Sequence, residues 1–358
     1  MQEEEFSELL QEESEPELVQ YKIDPGQTPV RLDHFLSEKI AKVSRNKIQS
    51  AIESELVTVN GKKSKSNYKI RGNDLIEFYI PKPPSTSELI PEDQNLDVIY
   101  EDDDLLVINK KQGVVVHPAA GVYTGTLLNG LAWHLGYRQK EILTDGNERL
   151  GLVHRIDKET SGLLLVAKNE HSVSHLSKQF FHHTIDREYL ALVWGEPDPA
   201  IGTITANIYR DPKRRSCMGV SKDGLEGKHA VTHYELVESF YYTSLVRCKL
   251  ETGRTHQIRV HMRHIGHTLF NDEKYGGDQI LKGTLFTKYK QFIQNCNKIL
   301  PHFALHARSI GFIHPNTGKK MYFEQELPEN FKNLVDKWRH YTAHRKEILD
   351  DGKFEFED

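Results

Sequence analysis

The sequence GLVHRIDKETSGLLLVAK, residues 151–168, places a charged segment between two segments that we expect to be buried. Residues 162–167 form an unbroken apolar run after a Ser-Gly pair, a pattern typical of a short strand covered on both faces. We interpret residues 150–156 as the end of another strand. The charged residues between them then lie on a loop held by rigid neighbours, where catalytic side chains are often mounted, and Asp157 is the first candidate.

Taken alone, these residue types do not establish a site, because most charged loops are solvated turns. The motif HRIDKETSG, however, resembles the HRLD-x-x-TSG signature of the RluA/RluD-type pseudouridine synthases, with Ile156 where the family usually has Leu. REYLALVWG resembles the family's K/R-x-Y segment, and TGRTHQIR resembles its third motif. The resemblance implies that Asp157 is the catalytic aspartate, that Tyr189 lies in the active site, and that Arg259 pairs with Asp157.

Other segments extend the resemblance over about residues 30–335. The segment that opens the family's catalytic domain, usually NKPAGxxVHP, is matched by NKKQGVVVHP, with Lys111 at the customary Pro. LFNDEKYGG resembles the family's G-D-x-x-Y-G, with Asn271 at its Gly. The HPNTG turn near residue 316 resembles the closing hairpin. The appended N-terminal domain makes the chain look closest to the RluD-like branch, which implies uridines of large-subunit (23S) ribosomal RNA as the substrate.

The chemistry of this family breaks the N1 to ribose bond of uridine and rejoins the base through C5, so substrate and product are isomers. We therefore expect no cofactor and no metal. The sequence has no GxGxxG after a strand, no P-loop and no HExxH motif. The adjacent His182 and His183 have no carboxylate or cysteine at ligand spacing. The three cysteines include no CxxC pair, which argues against a zinc ribbon and a disulfide framework.

A carboxylate in a dry site needs a cationic partner to stay ionised, and Arg259 is our expected partner for Asp157. Asp157 would either add to the ribose C1′ or remove the C2′ proton, and the sequence does not choose between these routes. Tyr189 would stack on the base and assist proton transfer. The resemblance makes Arg155 the candidate to fill the gap left by the flipped uridine, and Arg254 would hold phosphate.

Charge is unevenly distributed along the chain, which has a net charge of −5. Eight of the 52 acidic residues lie in residues 1–20, and six lie in residues 347–358 with one of the 47 basic residues, so the remainder carries 46 basic and 38 acidic residues. Such a basic body suits an RNA-binding protein. Residues 30–80 read as helix, helix, hairpin, strand and resemble the αL RNA-binding domain, whose expected RNA contacts here are Arg31, Arg45, Lys47, Lys62 and Lys63.

These patterns predict an α+β protein: a pseudouridine synthase catalytic domain with a mixed, mainly antiparallel sheet, and a small N-terminal αL domain. We expect an acidic, disordered tail over residues 1–21, the αL domain over 22–80, a proline-rich linker over 81–96, the catalytic domain over 97–335 and a polar, acidic extension over 336–358. The absence of a long apolar segment and the acidic N-terminus predict a soluble protein that binds no membrane, and the scattered cysteines predict a reducing cytoplasm.

Alternative functions remain open at this point. A hydrolase acting on glycosides or RNA would need two carboxylates, and Asp157 with Glu159 is the pair that the central loop offers. A non-catalytic RNA-binding factor would explain the basic residues without using Asp157. Transfer RNA is the alternative substrate. We expect a monomer, because no heptad repeat is present.

Overall fold

The computed structural model describes residues 17–39, 48–49, 51–52, 56–80, 88–118, 122–137, 141–142, 150–214, 216–221 and 224–350. The chain divides into two compact units, one of residues 1–92 and 117–148 and one of residues 93–116 and 149–358. Within the described residues, no helix combines the length and the apolar character needed to cross a membrane.

The helices and strands in chain order are β1 (Glu17–Lys22), α1 (Leu32–Lys39), β2 (Val57–Val59), β3 (Lys62–Lys63), β4 (Leu75–Ile80), β5 (Glu88–Leu89), β6 (Val98–Glu101), β7 (Leu105–Lys110), α2 (Leu127–His134), β8 (Glu141–Ile142), β9 (Ser161–Ala167), α3 (Glu170–Phe181), β10 (Asp186–Trp194), β11 (Ile201–Thr205), β12 (Ile208–Arg210), β13 (Met218–Val220), β14 (Val231–Ser239), β15 (Thr243–Leu250), α4 (Gln257–His264), α5 (Thr287–Ile299), β16 (Leu305–Ile313), β17 (Lys320–Glu324) and α6 (Glu329–Asp350). A 3-10 turn covers Glu273–Tyr275.

The first unit contains an antiparallel sheet in the order β1-β4-β2-β3. Asn60 and Gly61 connect β2 to β3 with φ values of 54° and 70°, so both residues have the left-handed backbone that a tight hairpin needs. The core beneath the sheet contains Leu32 and Leu36 of α1 together with Ile48 and Ile52, four buried residues at the helical spacing that the sequence predicts.

Two expected boundaries at this end of the chain need correction. The predicted acidic tail extends five residues too far, because residues 17–21 pair with β4 as part of β1. The predicted linker includes β5, which pairs with β8, and Leu89 in this strand is buried. The linker also includes Glu92, whose Oε2 accepts a 2.9 Å hydrogen bond from the backbone N–H of Gly125. Backbone pairing and burial of one leucine therefore order part of a segment whose composition resembles a linker.

The second unit contains a nine-stranded sheet in the order β11-β14-β15-β10-β16-β9-β7-β6, with β17 also paired to β16. Among the strand pairs of the described residues, β9 with β16 is parallel and the remaining pairs are antiparallel. The mixed, mainly antiparallel sheet predicted from the sequence is confirmed. A separate two-stranded ribbon is formed by β12 and β13.

Strand β9 lies in the interior of this sheet, and all seven of its residues are buried, as its apolar sequence predicts. Gly162 begins the apolar run with φ at 107°, and a Cβ at this position would lie 2.2 Å from the carbonyl oxygen of Ala307 in β16. The glycine of the TSG sequence is therefore required by the close approach of two strands. Because β9 follows the loop of Asp157 directly, this packing fixes one end of the loop.

The segment before the loop differs from its prediction. Residues 150–156 do not form a strand and make one isolated bridge, between Leu152 and Val166. Leu150 and Gly151 have positive φ values of 40° and 82°, which interrupt an extended backbone. The residues preceding Asp157 are therefore irregular backbone bridged to β9 at Leu152.

Helices α5 and α6 pack against the sheet around an aromatic core that contains Trp194, Phe270 and Trp338. Trp338 is fully buried, and its ring meets the ring of Trp194 at a centroid distance of 6.4 Å. The predicted polar extension is therefore wrong at its start, because α6 runs through the expected boundary at residue 335 and carries part of the core.

Candidate active site

The loop of Asp157 is held by its own backbone and by a buried lysine. The N–H of Thr160 donates to the carbonyl of Asp157 at 3.0 Å, which closes a tight turn. Nζ of Lys110, at the end of β7, donates 2.9 Å hydrogen bonds to the carbonyl oxygens of Lys111, Val114 and Lys158. Lys110 thus ties the loop to the segment after β7.

Burial lowers the pKa of Lys110 to about 7, while the charges of Glu159 and Asp157 act in the opposite direction. Three carbonyl acceptors match the three N–H donors of an ammonium group. This geometry favours the charged form of Lys110 behind the loop. Sequence reasoning did not nominate Lys110, although it lies in the quoted NKK segment.

Arg259 owes its position to a change of backbone conformation inside the motif TGRTHQIR. His256 has φ at 55°, and helix α4 begins at the next residue. The buried side chain of Gln257 accepts hydrogen bonds from the Thr252 hydroxyl at 2.8 Å and the Arg254 N–H at 2.9 Å. The backbone therefore becomes helical at this glutamine, which also anchors the preceding loop.

The guanidinium of Arg259 joins two carboxylates. Nε and Nη2 donate to Oδ2 and Oδ1 of Asp272 at 2.7 and 2.8 Å, and Nη1 donates to Oδ2 of Asp157 at 2.9 Å. The exposed fractions of these side chains are 5% for Arg259, 1% for Asp272 and 25% for Asp157. Burial alone would lower the pKa of Arg259, but Asp272 and Asp157 outweigh it and raise this pKa. The arginine is therefore permanently charged, and Asp157 is the carboxylate that reaches solvent.

Two aromatic rings enclose the same guanidinium. Its central carbon lies 4.1 Å from the ring centroid of Phe303 and 4.9 Å from that of Tyr275. Sequence reasoning nominated Arg259 but missed Asp272 and Tyr275 as its partners. The sequence could have identified both residues, because they occupy the Asp and Tyr positions of the family's D-x-x-Y pattern in LFNDEKYGG.

Tyr189 lies on β10 and is buried, with 7% of its surface exposed. Burial is the main cause that raises the pKa of its hydroxyl; Arg187 lowers this pKa and Asp157 raises it. The hydroxyl is therefore neutral in the physiological range and can both donate and accept a hydrogen bond.

One cavity of about 610 Å³ collects the nominated side chains of the second unit. Such a volume lies in the usual range for small-molecule sites, and it admits a nucleoside. Arg155 is exposed at the cavity, while Nε of Arg254 donates to the carbonyl of His229 at 3.0 Å. The nominated residues that line the cavity are Arg155, Asp157, Tyr189, Arg254 and Arg259.

The residues nominated for RNA binding in the first unit have different surroundings. Arg31 donates to both carboxylate oxygens of the buried Asp33 at 3.0 and 2.9 Å, which gives it a structural contact. Lys62 and Lys63 lie exposed on β3 of the hairpin. Arg45 and Lys47 lie outside the described residues.

One group of side chains in the described residues has the chemistry of a metal site. Ligand atoms of Asp102, Asp104 and His314 lie within 4.8 Å of one another. Hydrogen bonds already account for this approach, since Oδ2 of Asp102 is 2.9 Å from Nε2 of His314 and its Oδ1 accepts from the N–H of Asp104 at 2.8 Å. None of the three lines the cavity.

Comparison with known families agrees with this architecture. A family model described as RNA pseudouridylate synthase matches residues 104–264, which include Asp157, Tyr189 and Arg259. A second, described as S4 domain, matches residues 30–76, the segment expected to be the αL domain. The human RNA pseudouridylate synthase domain containing 4 has the same fold, with a TM-score of 0.51 at 23% identity over 68% of this chain and 92% of that one.

Similar sequences extend over most of the chain. An RNA pseudouridine synthase of Chlorobaculum parvum is 44% identical over 315 residues, 87% of this chain and 95% of the relative. Ribosomal large subunit pseudouridine synthase D of Zymomonas mobilis is 40% identical over 307 residues, 85% of this chain and 92% of the relative. The chain belongs to the RNA pseudouridine synthase family. It is an RNA-modifying isomerase with an N-terminal S4 domain, as the sequence motifs imply.

Proposed function

We propose that this protein converts uridines of large-subunit ribosomal RNA to pseudouridine, with Asp157 as the nucleophile or base. The observation that carries the proposal is the position of the Asp157 carboxylate. It lines a cavity large enough for a nucleoside, and Arg259 donates a hydrogen bond to its Oδ2. Within the described residues no donor is bound to Oδ1. One carboxylate oxygen is therefore oriented, and the other can reach a ribose.

The arrangement supports either of two routes. In the first, the N1 to C1′ bond breaks as an oxygen of Asp157 bonds to C1′, and the rotated uracil displaces it through C5. In the second, Asp157 removes the C2′ proton while N1 departs, which leaves a glycal that C5 attacks with return of that proton to C2′. Both routes transfer the C5 proton to solvent and return a proton to N1, so product and substrate have the same composition. Arg259 stabilises the charged carboxylate in each case.

Tyr189 and Arg155 have complementary proposed roles at the cavity. Tyr189 presents a neutral phenol and an aromatic face, so it can stack on the uracil and relay the C5 proton to solvent, its oxygen accepting that proton as its own O–H proton passes to water. Arg155 is exposed at the cavity, where a long cationic side chain can occupy the space that a flipped uridine leaves in the RNA stack. The flipped nucleotide is the expected substrate form, because the reacting C1′ of a stacked residue cannot enter a cavity.

The assignment of the RNA rests on relatives. Proteins of Zymomonas mobilis and Neisseria meningitidis named ribosomal large subunit pseudouridine synthase D are 40% and 39% identical to this chain. The S4 domain adds the exposed Lys62 and Lys63, whose charges suit phosphate contacts. Transfer RNA is the alternative substrate.

The rival chemistry of a two-carboxylate hydrolase has less support. Glu159 does not line the cavity, and its carboxylate lies 3.6 Å from Nζ of Lys158 and 3.4 Å from Nε2 of His302. Hydrolysis across a sugar requires both carboxylates to face the same bond. The geometry therefore favours a reaction with one carboxylate.

The substrate is tested by mapping pseudouridine in cells that lack this gene, with carbodiimide labelling and primer extension on large-subunit ribosomal RNA. We expect stops at particular uridines to disappear in the deletion strain and to return with the wild-type gene. Unchanged ribosomal stops together with lost transfer RNA stops would replace the proposed substrate with the alternative. A deletion that changes neither RNA would contradict both assignments.

A further inference from the structure

Four arginines line the cavity, and one of them, Arg187, has no role in the mechanism above. Arg187 lies on β10 two residues before Tyr189, so the two side chains emerge on the same face of the strand, about 7 Å apart along it. It lines the cavity with Asp157 and Tyr189, and only 7% of its surface is exposed. A guanidinium so deeply buried normally has a carboxylate partner.

Arg187 has no such partner in the described part of the chain. Its Nε is buried without a hydrogen bond, and no ion pair reaches the guanidinium. The acidic neighbours on β10 face other cations: Asp186 is 3.2 Å from Nζ of Lys249, and Glu188 is 3.8 Å from Nε of Arg247. Isolated burial of a charge is costly, so an uncompensated guanidinium at a cavity indicates a site for an anion.

The groups around Arg187 leave its charge uncompensated. Its guanidinium lies 5.4 Å from the ring centroid of Phe180. Arg254 and His183 line the same cavity, and the pKa of His183 is lowered first by burial and then by the charges of Arg254 and Arg187, with Glu251 acting in the opposite direction. Asp157 is the acid among the lining residues, and its Oδ2 is bound by Arg259. This side of the cavity is therefore positive and contains an unused hydrogen-bond donor.

The missing side chain of Gly253 leaves space for the guanidinium of Arg187. A Cβ on Gly253 would lie 2.8 Å from Nη1 of Arg187. A side chain at position 253 would therefore push the guanidinium from its place. The glycine of the TGR sequence has a physical role here, because it lets the loop before α4 pass directly over the arginine.

We propose that Arg187 binds a phosphate of the RNA strand adjacent to the uridine in the cavity, with Arg254 at the same phosphate group or the next one. The inference rests on the proposed function and adds a subsite to it. A phosphate supplies the missing charge and can accept hydrogen bonds from the guanidinium, whose Nε has no partner among the described residues. Because Arg187 and Tyr189 share one strand face, the phosphate and the base would be fixed by the same rigid element, which sets how deep the nucleotide enters.

The test uses a synthetic RNA hairpin that carries a uridine converted by the wild-type enzyme. Each phosphate beside that uridine is replaced in turn by an uncharged methylphosphonate, and binding and single-turnover conversion are measured with wild type, Arg187→Gln and Arg247→Gln. Arg247 is the control, because it lies on β15 with 44% of its side chain exposed and pairs with Glu235 at 2.8 Å.

We expect Arg187→Gln to weaken binding of the unmodified hairpin by about 10- to 100-fold, the usual effect of losing a charged hydrogen bond. One methylphosphonate should weaken wild-type binding to a similar extent and should have little further effect on Arg187→Gln. Arg247→Gln should bind like the wild type with every hairpin. If each methylphosphonate weakened the binding of Arg187→Gln as much as it weakens the binding of the wild type, the inference would be overturned.

Measurements of Tm distinguish a loss of RNA binding from a loss of folding. Without RNA, Arg187→Met removes an unpaired buried charge, so we expect its Tm to stay equal or to rise by about 2–4 °C. A large fall in Tm would mean that Arg187 is structural and would contradict the inference. If Arg187→Gln does not fold, Arg187→Lys retains the charge and should retain the coupling to the methylphosphonate. A wild-type enzyme that converts no ribosomal or transfer RNA would instead remove the proposed function, and the subsite with it.

Discussion

Nη1 of Arg259 donates a 2.9 Å hydrogen bond to Oδ2 of Asp157, although 102 positions separate the two residues in the chain. The arginine is itself fixed by the bidentate contact of Nε and Nη2 with the buried Asp272. Asp157, the carboxylate proposed to act on ribose, is thus positioned by a network of ion pairs that runs from Asp272 through Arg259. Substitution of one residue of this network tests its role.

Asp272→Asn removes one charge from the pair with Arg259 without changing the shape of the side chain. Because breaking a buried pair leaves a charge poorly compensated, we expect the free energy of unfolding to fall by about 3 kcal/mol. Arg259 would also lose its fixed direction, so kcat should fall by about 100-fold with a smaller change in KM. Urea unfolding and single-turnover kinetics measure the two effects.

Glu273→Gln is the matched control for this substitution, since Glu273 is adjacent and exposed. It should retain wild-type stability and activity. Equal activity of Asp272→Asn and wild type would show that the orientation of Arg259 does not depend on Asp272.

Tyr189→Phe retains the aromatic face and removes the hydroxyl. If the phenol exchanges the C5 proton, RNA binding should change little while the rate of pseudouridine formation falls by about 100-fold or more, the usual contribution of an acid–base group. Tyr234→Phe is the control, because Tyr234 is buried on β14 and does not line the cavity. An unchanged rate in Tyr189→Phe would leave the tyrosine with a stacking role only.

Gly162→Ala tests the packing behind the loop. The added Cβ would meet the carbonyl oxygen of Ala307 at 2.2 Å, so we expect the free energy of unfolding to fall by about 3 kcal/mol or more. Gly318→Ala is the comparison, because Gly318 has φ at 66° in open space and should lose only about 1 kcal/mol from backbone strain. Equal losses at both positions, measured by urea unfolding, would contradict the steric explanation.

Buried histidines predict how stability depends on pH. Burial lowers the pKa of His261 and His306 to about 4 each from the ordinary value of 6.5. Each accepts a hydroxyl hydrogen bond at Nδ1 and donates from Nε2 to a carbonyl, the pattern of a neutral ring. Between pH 6.5 and 4 the unfolded chain binds more protons, so the free energy of unfolding must fall as the pH falls.

The expected slope is about 1.4 kcal/mol per pH unit for each such histidine within this window. Urea unfolding at pH 7.5 and 5.5 measures it, and His306→Gln should reduce the difference by the share of one histidine. A free energy of unfolding that rises on acidification would contradict this account.

The sequence anticipated the central features because they have strong local signals. The apolar run before Lys168 indicated β9, and the motifs implied Asp157, Tyr189 and Arg259. Spacing alone could not show that Arg259 reaches Asp157, since that contact depends on how distant strands and helix α4 pack. The resemblance supplied this relationship before the fold was known.

The missed features have physical reasons. Residues 150–156 look like a strand, but positive φ values at Leu150 and Gly151 break it. The extension predicted over residues 336–358 contains Trp338, a core residue of helix α6. The polar composition of the segment concealed the narrow apolar stripe of this helix. Phe331, Leu334, Val335 and Trp338 are buried and follow the i, i+3, i+4, i+7 pattern of a helix, which is the signal that could have identified α6.

The most direct test of the central claim compares Asp157→Asn with Glu159→Gln in purified protein on in vitro transcribed large-subunit ribosomal RNA. We expect the wild type and Glu159→Gln to form pseudouridine without releasing free uracil. Asp157→Asn should bind the RNA and fold normally, yet form pseudouridine at least about 1000-fold more slowly. Pseudouridine formation by Asp157→Asn at the wild-type rate would contradict the account.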